Sequence, residues 1–398
     1  MGGGGTQVTE RLRVAILGST GSIGRQALDV ARAHADKIEV VALAAHSSDE
    51  ALLASAREFG VANVALSDAS AAQRASSARV STDPFTRVLS GADAVIELAS
   101  CTQADVVLNA LVGAAGLRAS IAALSEGKTL ALANKESLVV GGELVTALAK
   151  PGRLLPVDSE HSAIFQCFGG EDARDATRIW LTASGGPFRD RTRAGLATVT
   201  AKDALAHPTW AMGPKITIDS STLMNKGLEA IEAHHLFGMS LDQIRIVIHP
   251  QSCVHSMVEF ADGSVKAHLG AADMRIPIQY AFSYPRRWTA PTPPVDFAAL
   301  GHLDFAEPDF RTFRCLALAL EAGRTGGTMP AAMNAANEIA VAAFLAGECG
   351  FLDIERTVEA VMTAHTAEKL ESVEQVEAVD AQSRQAARTE VTREHRSG

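Results

Sequence analysis

The sequence predicts an α/β protein in three parts: a parallel-sheet N-terminal domain, a central α+β domain and a helical C-terminal domain. Three observations carry this. From Arg13 to about Pro156, short apolar runs alternate with longer segments of helical spacing. After Glu171 the strand candidates change character, and two of them flank the dipeptide Asp262-Gly263. From Arg311 onward the chain is rich in Ala, Leu and Glu at helical spacing. Strand–helix alternation implies right-handed crossovers and a sheet covered on both faces, with ligands at the carboxyl ends of its strands.

In the first part the expected strands are residues 13–17, 39–44, 61–66, 94–97, 120–122, 129–132 and 153–157, and residues 23–35 and 50–59 read as helices. In the second, residues 179–183, 245–248, 256–260 and 264–269 read as strands, with Asp262-Gly263 favouring a tight hairpin turn. Pro291, Pro293 and Pro294 mark a linker. The expected boundaries are therefore 1–152, 153–290, a linker at 291–310, and 311–398. The last dozen residues are polar and charged and are expected to fray.

Composition narrows the class. With 47% hydrophobic and 21% charged residues the chain reads as a soluble globular protein. A net charge of −10 argues against a general nucleic-acid or membrane-surface binder, so an anionic ligand needs local positive charge. Five cysteines without a Cys-x-x-Cys pair suggest reduced thiols in a cytoplasmic protein. No apolar run approaches membrane-spanning length, and residues 1–6 lack the apolar core of a secretion signal.

Gly18-Ser19-Thr20-Gly21-Ser22-Ile23-Gly24 lies between the first predicted strand and the first predicted helix. Small residues there let the backbone approach a pyrophosphate, whose charge the helix N-terminus favours. This context gives the domain a Rossmann-like, dinucleotide-binding reading. The second strand runs into Ala45-His46-Ser47 with no carboxylate before Asp49. The absence of an acid for a ribose 2′-hydroxyl favours NADP over NAD, with His46 and Ser47 as candidate 2′-phosphate partners. Asp49 and Glu50 read as first-turn residues of the next helix.

Other polar segments fall where ligands are expected. Asn134-Lys135-Glu136 stands at the carboxyl end of a predicted strand, where Asn134 could also cap a helix. Asp158 and Glu160 flank Ser159 after the apolar run Leu154-Leu155-Pro156-Val157. If that segment is still extended, both carboxylates share a face and need a cation between them. Oxygen-only ligands suit Mg²⁺ or Mn²⁺. The other reading makes Asp158 or Ser159 an N-cap, with Glu160 in the first helical turn. Ser184-Gly185-Gly186 could form an anion nest. Asn225, Lys226 and Glu229 fall within one helical turn and could hold an anion beside a metal, or Lys226 and Glu229 could be a surface pair. His207-Pro208-Thr209-Trp210-Ala211-Met212-Gly213-Pro214-Lys215 reads as a lid over substrate or as a rigid connector.

Together these segments, with residues 249–252 and His255, closely resemble the 1-deoxy-D-xylulose 5-phosphate reductoisomerase family over roughly residues 13 to 350. The resemblance implies isomerisation of a ketose phosphate followed by reduction with NADPH. It implies Asp158, Glu160 and Glu229 as carboxylate ligands of one Mg²⁺ or Mn²⁺. Ser159 and Lys135 would contact the hydroxyl and carbonyl end of the sugar-phosphate substrate. Ser184, Ser220, Asn225 and Lys226 would hold its phosphate, with His207 closing from the lid and Trp210 covering the carbon chain. Thr20, Gly21, Ser22, Ile23, Asn134, Glu136 and Gly213 would line the cofactor. The catalytic set is then Lys135, Asp158, Glu160 and Glu229, and a homodimer is expected.

One departure stands out: Ala45-His46-Ser47 replaces a Gly-Lys-Asn-like turn. Two other functions compete. A different NADP-dependent oxidoreductase, such as a semialdehyde dehydrogenase, needs an activated cysteine. A non-catalytic NADPH sensor needs no metal carboxylates.

Overall fold

The computed structural model describes residues 10–82, 86–100, 103–206, 210, 212–290 and 292–397. Seven parallel strands form the first sheet: β1 (Leu12–Leu17), β2 (Ile38–Ala45), β3 (Asn63–Leu66), β4 (Arg87–Ser90), β5 (Val106–Asn109), β6 (Thr129–Leu132) and β7 (Leu154–Pro156). Their order is β4-β3-β2-β1-β5-β6-β7. The chain builds outward from β1 to β4 and then returns to the other side of β1 with β5. Strand order therefore reverses between β1 and β5, which opens a crevice at their carboxyl ends. Gly18 sits at that reversal with φ +83°, and a Cβ there would meet the Ala110 carbonyl oxygen at 2.4 Å. Only glycine lets the loop after β1 pass so close to the end of β5.

Two expected strands are corrected by the structure. Residues 94–97 belong to the helix Ala92–Ala99, and residues 120–122 belong to the helix Gly116–Ser125. The strands in that region are β4 and β5, neither of which was expected. β5 is four fully buried residues, Val-Val-Leu-Asn, too short and too uniformly apolar to show a period. The remaining expected strands of the first sheet occur within two residues of their expected ends.

The second sheet contains β8 (Ala176–Ala183), β9 (Ile244–Ile248), β10 (Val254–Phe260) and β11 (Val265–Leu269), in the order β11-β10-β8-β9. β8 and β9 are parallel and the other pairs antiparallel. The β10–β11 connection is the expected hairpin, closed by Phe260 N–H to the Ser264 carbonyl at 2.9 Å and Ser264 N–H to Asp262 Oδ1 at 2.9 Å. Helices Arg314–Thr325, Met329–Ala346, Phe351–Ala364 and Val373–Ser397 follow. The last of these continues through the residues expected to fray.

Two apolar cores hold these parts together. The larger runs from one face of the first sheet (Leu17, Val107, Leu132) through the second sheet (Ile179, Val258) into the C-terminal helices (Leu316, Val358). The smaller covers the opposite face of the first sheet and takes in Ile278 and Phe282 of the helix Arg275–Ser283. Contact with β8 and β9 of the second sheet and with the helices Glu136–Leu148 and Arg314–Thr325 fixes the helix Met224–Phe237, which carries Leu228 and Ile231 into the larger core. No helix among the described residues is long and apolar enough to cross a membrane.

That helix ends against Gly142, where a Cβ would lie 2.2 Å from the His235 ring. Burial, then the neighbouring His234 charge, pushes the His235 pKa down to about 4 from 6.5. A histidine depressed on folding contributes stability that is present above 6.5 and is lost as pH falls toward 4. Urea unfolding should therefore show a lower midpoint at pH 5 than at pH 7. In His235→Gln part of that difference should vanish; an unchanged pH slope would refute the assignment.

Candidate active site

The site is built on strand ends. β6 delivers Asn134 and Lys135, both buried. Asn134 Oδ1 accepts from Ser137 N–H at 3.1 Å, so Asn134 does cap the start of the helix Glu136–Leu148. Its amide nitrogen donates to the Leu111 and Gly113 carbonyls at 3.0 and 2.9 Å. Lys135 points the other way. Its Nζ lies 3.0 Å from Asp158 Oδ2, 3.1 Å from Glu229 Oε1 and 2.7 Å from Asn225 Oδ1.

β7 stops at Pro156, so Asp158 and Glu160 do not sit on an extended segment, the condition of the first reading. Asp158 is the N-cap of the helix Ser159–Cys167 and accepts from Glu160 N–H at 3.2 Å. The capping turn, not strand alternation, brings the two carboxylates to one side. Both readings of this motif are thus realised in geometry: a cap, and a carboxylate pair facing Glu229. Ser159 donates its hydroxyl proton to Glu160 Oε2.

Glu229 comes from the buried side of the helix Met224–Phe237. Asn225 stands one turn earlier and donates to Glu229 Oε1 at 2.5 Å. Lys226 bridges Glu160 Oε1 at 2.8 Å and Glu229 Oε2. Lys226 is 4% exposed and Glu229 1%, which rules out the surface-pair reading.

Oxygens of Asp158, Glu160 and Glu229 all lie within 4.8 Å of one another. Burial opposes ionisation of Asp158, yet Lys135, His161 and Lys226 hold its carboxyl well below the usual range. Burial, then the charges of Glu229 and Asp158, push Glu160 up to about 7 despite Lys226. Crowded carboxylates with a reluctant member are what a divalent cation relieves, and the all-oxygen donor set suits Mg²⁺ or Mn²⁺. The residues fit that ion. A second grouping shares Asp158 and adds His161 and Glu232. His161 Nδ1 lies 3.1 Å from Glu232 Oε2 as a charge contact without hydrogen-bond alignment, and its Nε2 lies 2.9 Å from the Glu229 carbonyl.

These groups face a cavity of about 460 Å³. Of the expected residues, Ser22, Ile23, Lys135, Asp158, Ser159, Glu160, Ser184, Trp210, Gly213, Ser220, Asn225, Lys226 and Glu229 line it. Ser184 lies just past β8, where its Oγ accepts from Gly186 N–H at 3.2 Å. The Trp210 ring stands 6.4 Å from that of His255. His207 lies outside the described residues, as do Pro208, Thr209 and Ala211 of the expected lid.

Several expected residues are not in that lining. Thr20 and Gly21 hold the loop after β1, with Gly21 N–H on the Gly18 carbonyl at 3.0 Å. Ala45, His46 and Ser47 close β2, two strands away from β5 in the sheet order. Asn134 and Glu136 bond to each other at 3.1 Å. Ile216 and Met274, which no motif included, do line the cavity, as do Met212 and Ser252, which lay in quoted segments without an assigned role. Ser252 has φ +51°, a strain the sequence does not announce. His255 also lines it, whereas His249 is packed, with Nδ1 on the Asp304 carbonyl at 2.9 Å.

With this geometry in place, the chain was compared with known proteins. A family profile described as 1-deoxy-D-xylulose 5-phosphate reductoisomerase matches residues 14–142. Its C-terminal domain matches residues 154–237, and the DXP reductoisomerase C-terminal domain matches residues 269–386. The 1-deoxy-D-xylulose 5-phosphate reductoisomerase of Geobacillus kaustophilus is 51% identical over 358 residues, covering 88% of this chain and 92% of that protein. The Symbiobacterium thermophilum protein of the same name is 50% identical over 384 residues, covering 96% and 99%. Among solved structures, the Zymomonas mobilis enzyme in complex with NADPH superposes with a TM-score of 0.89 at 44% identity, covering 96% and 99%. A DOX-P reductoisomerase with NADPH, fosmidomycin and magnesium gives 0.91 at 41% identity, covering 96% and 98%.

Sequence reasoning missed Lys215, although its spacing from Asp219 is that of a helical pair. Its Nζ lies 3.1 Å from Glu136 Oε1 and 2.9 Å from Asp219 Oδ2. Asn337 donates to the other Asp219 oxygen at 2.8 Å. Lys215 and Asp219 together thus join the start of the helix Glu136–Leu148, the helix Pro214–Ser221 and the helix Met329–Ala346. Burial would lower its pKa, but Asp219, Glu136 and Glu338 hold it raised. Lys215→Met strands two buried carboxylates and should destabilise the protein by about 3–5 kcal/mol. Adding Asp219→Asn removes one of them and should recover part of the loss. Equal denaturation midpoints for wild type and Lys215→Met would show the network to be inert.

Proposed function

The chain belongs to the 1-deoxy-D-xylulose 5-phosphate reductoisomerase family, and on that basis we propose that it converts 1-deoxy-D-xylulose 5-phosphate to 2-C-methyl-D-erythritol 4-phosphate. It is an NADP-dependent oxidoreductase that couples a metal-dependent isomerisation to a reduction in non-mevalonate isoprenoid precursor biosynthesis. The observation that supports this reading best is the meeting of Asp158, Glu160 and Glu229 with Lys135 and Lys226 at one cavity.

The residues divide the work by position. Asp158, Glu160 and Glu229 would hold the divalent cation. When bound, that cation supplies a Lewis acid for negative charge on substrate oxygens, and NADPH supplies the hydride. Lys135, held protonated by Asp158 and Glu229, donates to the carbonyl end of the substrate. The Ser159 hydroxyl, free to turn from Glu160, takes a substrate hydroxyl. Ser184, Ser220, Asn225 and Lys226 receive the phosphate, which anchors the substrate away from the carbons that react. Trp210 covers the carbon chain and His207 adds a contact from the lid. Ser22, Ile23 and Gly213 border the nicotinamide side, while Thr20 and Gly21 support the pyrophosphate and Asn134 and Glu136 brace the same edge. The domains divide at 1–152, 153–290 and 311–398 with a linker at 291–310. The protein works in the cytoplasm as a homodimer.

A cysteine-based dehydrogenase is disfavoured by a specific observation: Cys167 is buried and its thiol is pushed up to about 11 by that burial. Cys253 and Cys315 are likewise buried, with raised pKa values.

The test is NADPH oxidation with deoxyxylulose phosphate, with and without Mg²⁺ or Mn²⁺. Turnover should require both substrate and metal; turnover that survives chelation would sink the proposal. Glu229→Gln should lower metal-dependent turnover on the order of 100-fold or more while NADPH binding persists. Loss of both together would show that metal and cofactor sites are not separable.

A further inference from the structure

β2 ends at Ala45, the position where a nicotinamide dinucleotide's adenine ribose lies in folds of this class. An acid there selects the 2′-hydroxyl of NAD, and an arginine nearby accommodates the 2′-phosphate of NADP. His46 Nδ1 is held 2.7 Å from Ser67 Oγ, on the first residue past β3. That contact leaves Nε2 with no partner among the described residues. The nearest acid in sequence, Asp49, opens the helix Asp49–Phe59 and would repel a phosphate if left alone.

It is not alone. Arg74, from the helix Ala69–Thr82 beyond β3, pairs with it through both carboxylate oxygens, Nε to Oδ2 at 2.9 Å and Nη2 to Oδ1 at 3.1 Å. The same Nη2 lies 3.5 Å from the Ser47 carbonyl, which places the guanidinium against the loop that follows β2. Nη1 has no partner among the described residues, so two N–H donors of a rigid fork remain for a third group. Asp68 is occupied as well, accepting from Ala71 N–H at 2.7 Å, and Glu50 is a further carboxylate whose charge acts on Arg74.

We propose that Arg74 is the specificity-determining residue for the 2′-phosphate of NADPH, contacting it through Nη1 while neutralising Asp49, with His46 as the second donor. The proposal rests on the NADPH-dependent function above and names the residues that serve it where the chain carries Ala45-His46-Ser47. Arg74 reaches the loop from a different strand–helix unit, so nothing in the sequence around β2 reveals it.

Binding of NADPH and NADH to the full chain, followed by the nucleotide's own fluorescence, tests this without turnover. Arg74→Ala alone would also release Asp49, so the decisive comparison is made in the Asp49→Asn background. Asp49→Asn should bind NADPH at least as tightly as wild type. Adding Arg74→Ala should then weaken NADPH roughly tenfold or more, as expected for loss of a charge-assisted hydrogen bond, and leave NADH within about twofold. 2′,5′-ADP should lose affinity in parallel, and 5′-AMP should not. An unchanged NADPH-to-NADH ratio, or an equal loss for both nucleotides, would overturn the assignment. Wild-type protein that does not bind NADPH would instead overturn the function on which the subsite depends.

Discussion

Lys135 and Lys226, both buried, stand between three carboxylates that the chain would otherwise be unable to bring together. Asp158 and Glu160 come from the turn after β7, Glu229 from a helix some seventy residues later, and Lys135 from the end of β6. An unpaired buried charge is strongly unfavourable, so each group can be buried only because the others are in place. The two cores supply what this requires. The larger one locks the helix Met224–Phe237 against the second sheet and the helices Glu136–Leu148 and Arg314–Thr325, with Leu228 in the core and Glu229 facing Lys135. Three carboxylates against two ammonium groups remain short of positive charge, and the raised Glu160 is where the shortage is felt.

The site's chemistry follows from that imbalance. Asp158, Glu160 and Glu229 would hold the cation, which would supply the positive charge that Lys135 and Lys226 now give them, and both lysines line the cavity. Lys215 does the comparable task one layer out, tying the start of the helix Glu136–Leu148 to the helix that carries Ser220.

How much of this was legible depended on whether a signal was local. The glycine loop, the hairpin at Asp262-Gly263 and the long helices have local causes, and they stand where the spacing put them. The strands β4 and β5 were lost because four residues carry no period, while Ala94-Val95-Ile96-Glu97 imitated a strand inside a helix. Asp158-Ser159-Glu160 could be read as an unusual motif, but its geometry could not. The capping turn, one of the two readings the motif allowed, converges these side chains, and strand alternation does not. Glu229 stood out by its helical spacing from Asn225 and Lys226, but its grouping with Asp158 and Glu160 came only through resemblance, since no spacing rule links them. Arg74, Lys215 and the pair His161–Glu232 escaped altogether, because each is defined by a partner on another element.

We assign the cation to Asp158, Glu160 and Glu229, with the neighbouring group of Asp158, His161 and Glu232 bracing it. Titration of the full chain with Mn²⁺, following the electron paramagnetic resonance signal of the free ion, separates the two. One ion should bind per chain in wild type and in Glu232→Gln, and none with comparable affinity in Glu229→Gln. Binding that survives Glu229→Gln but disappears in Glu232→Gln would place the metal in the other group and contradict this account.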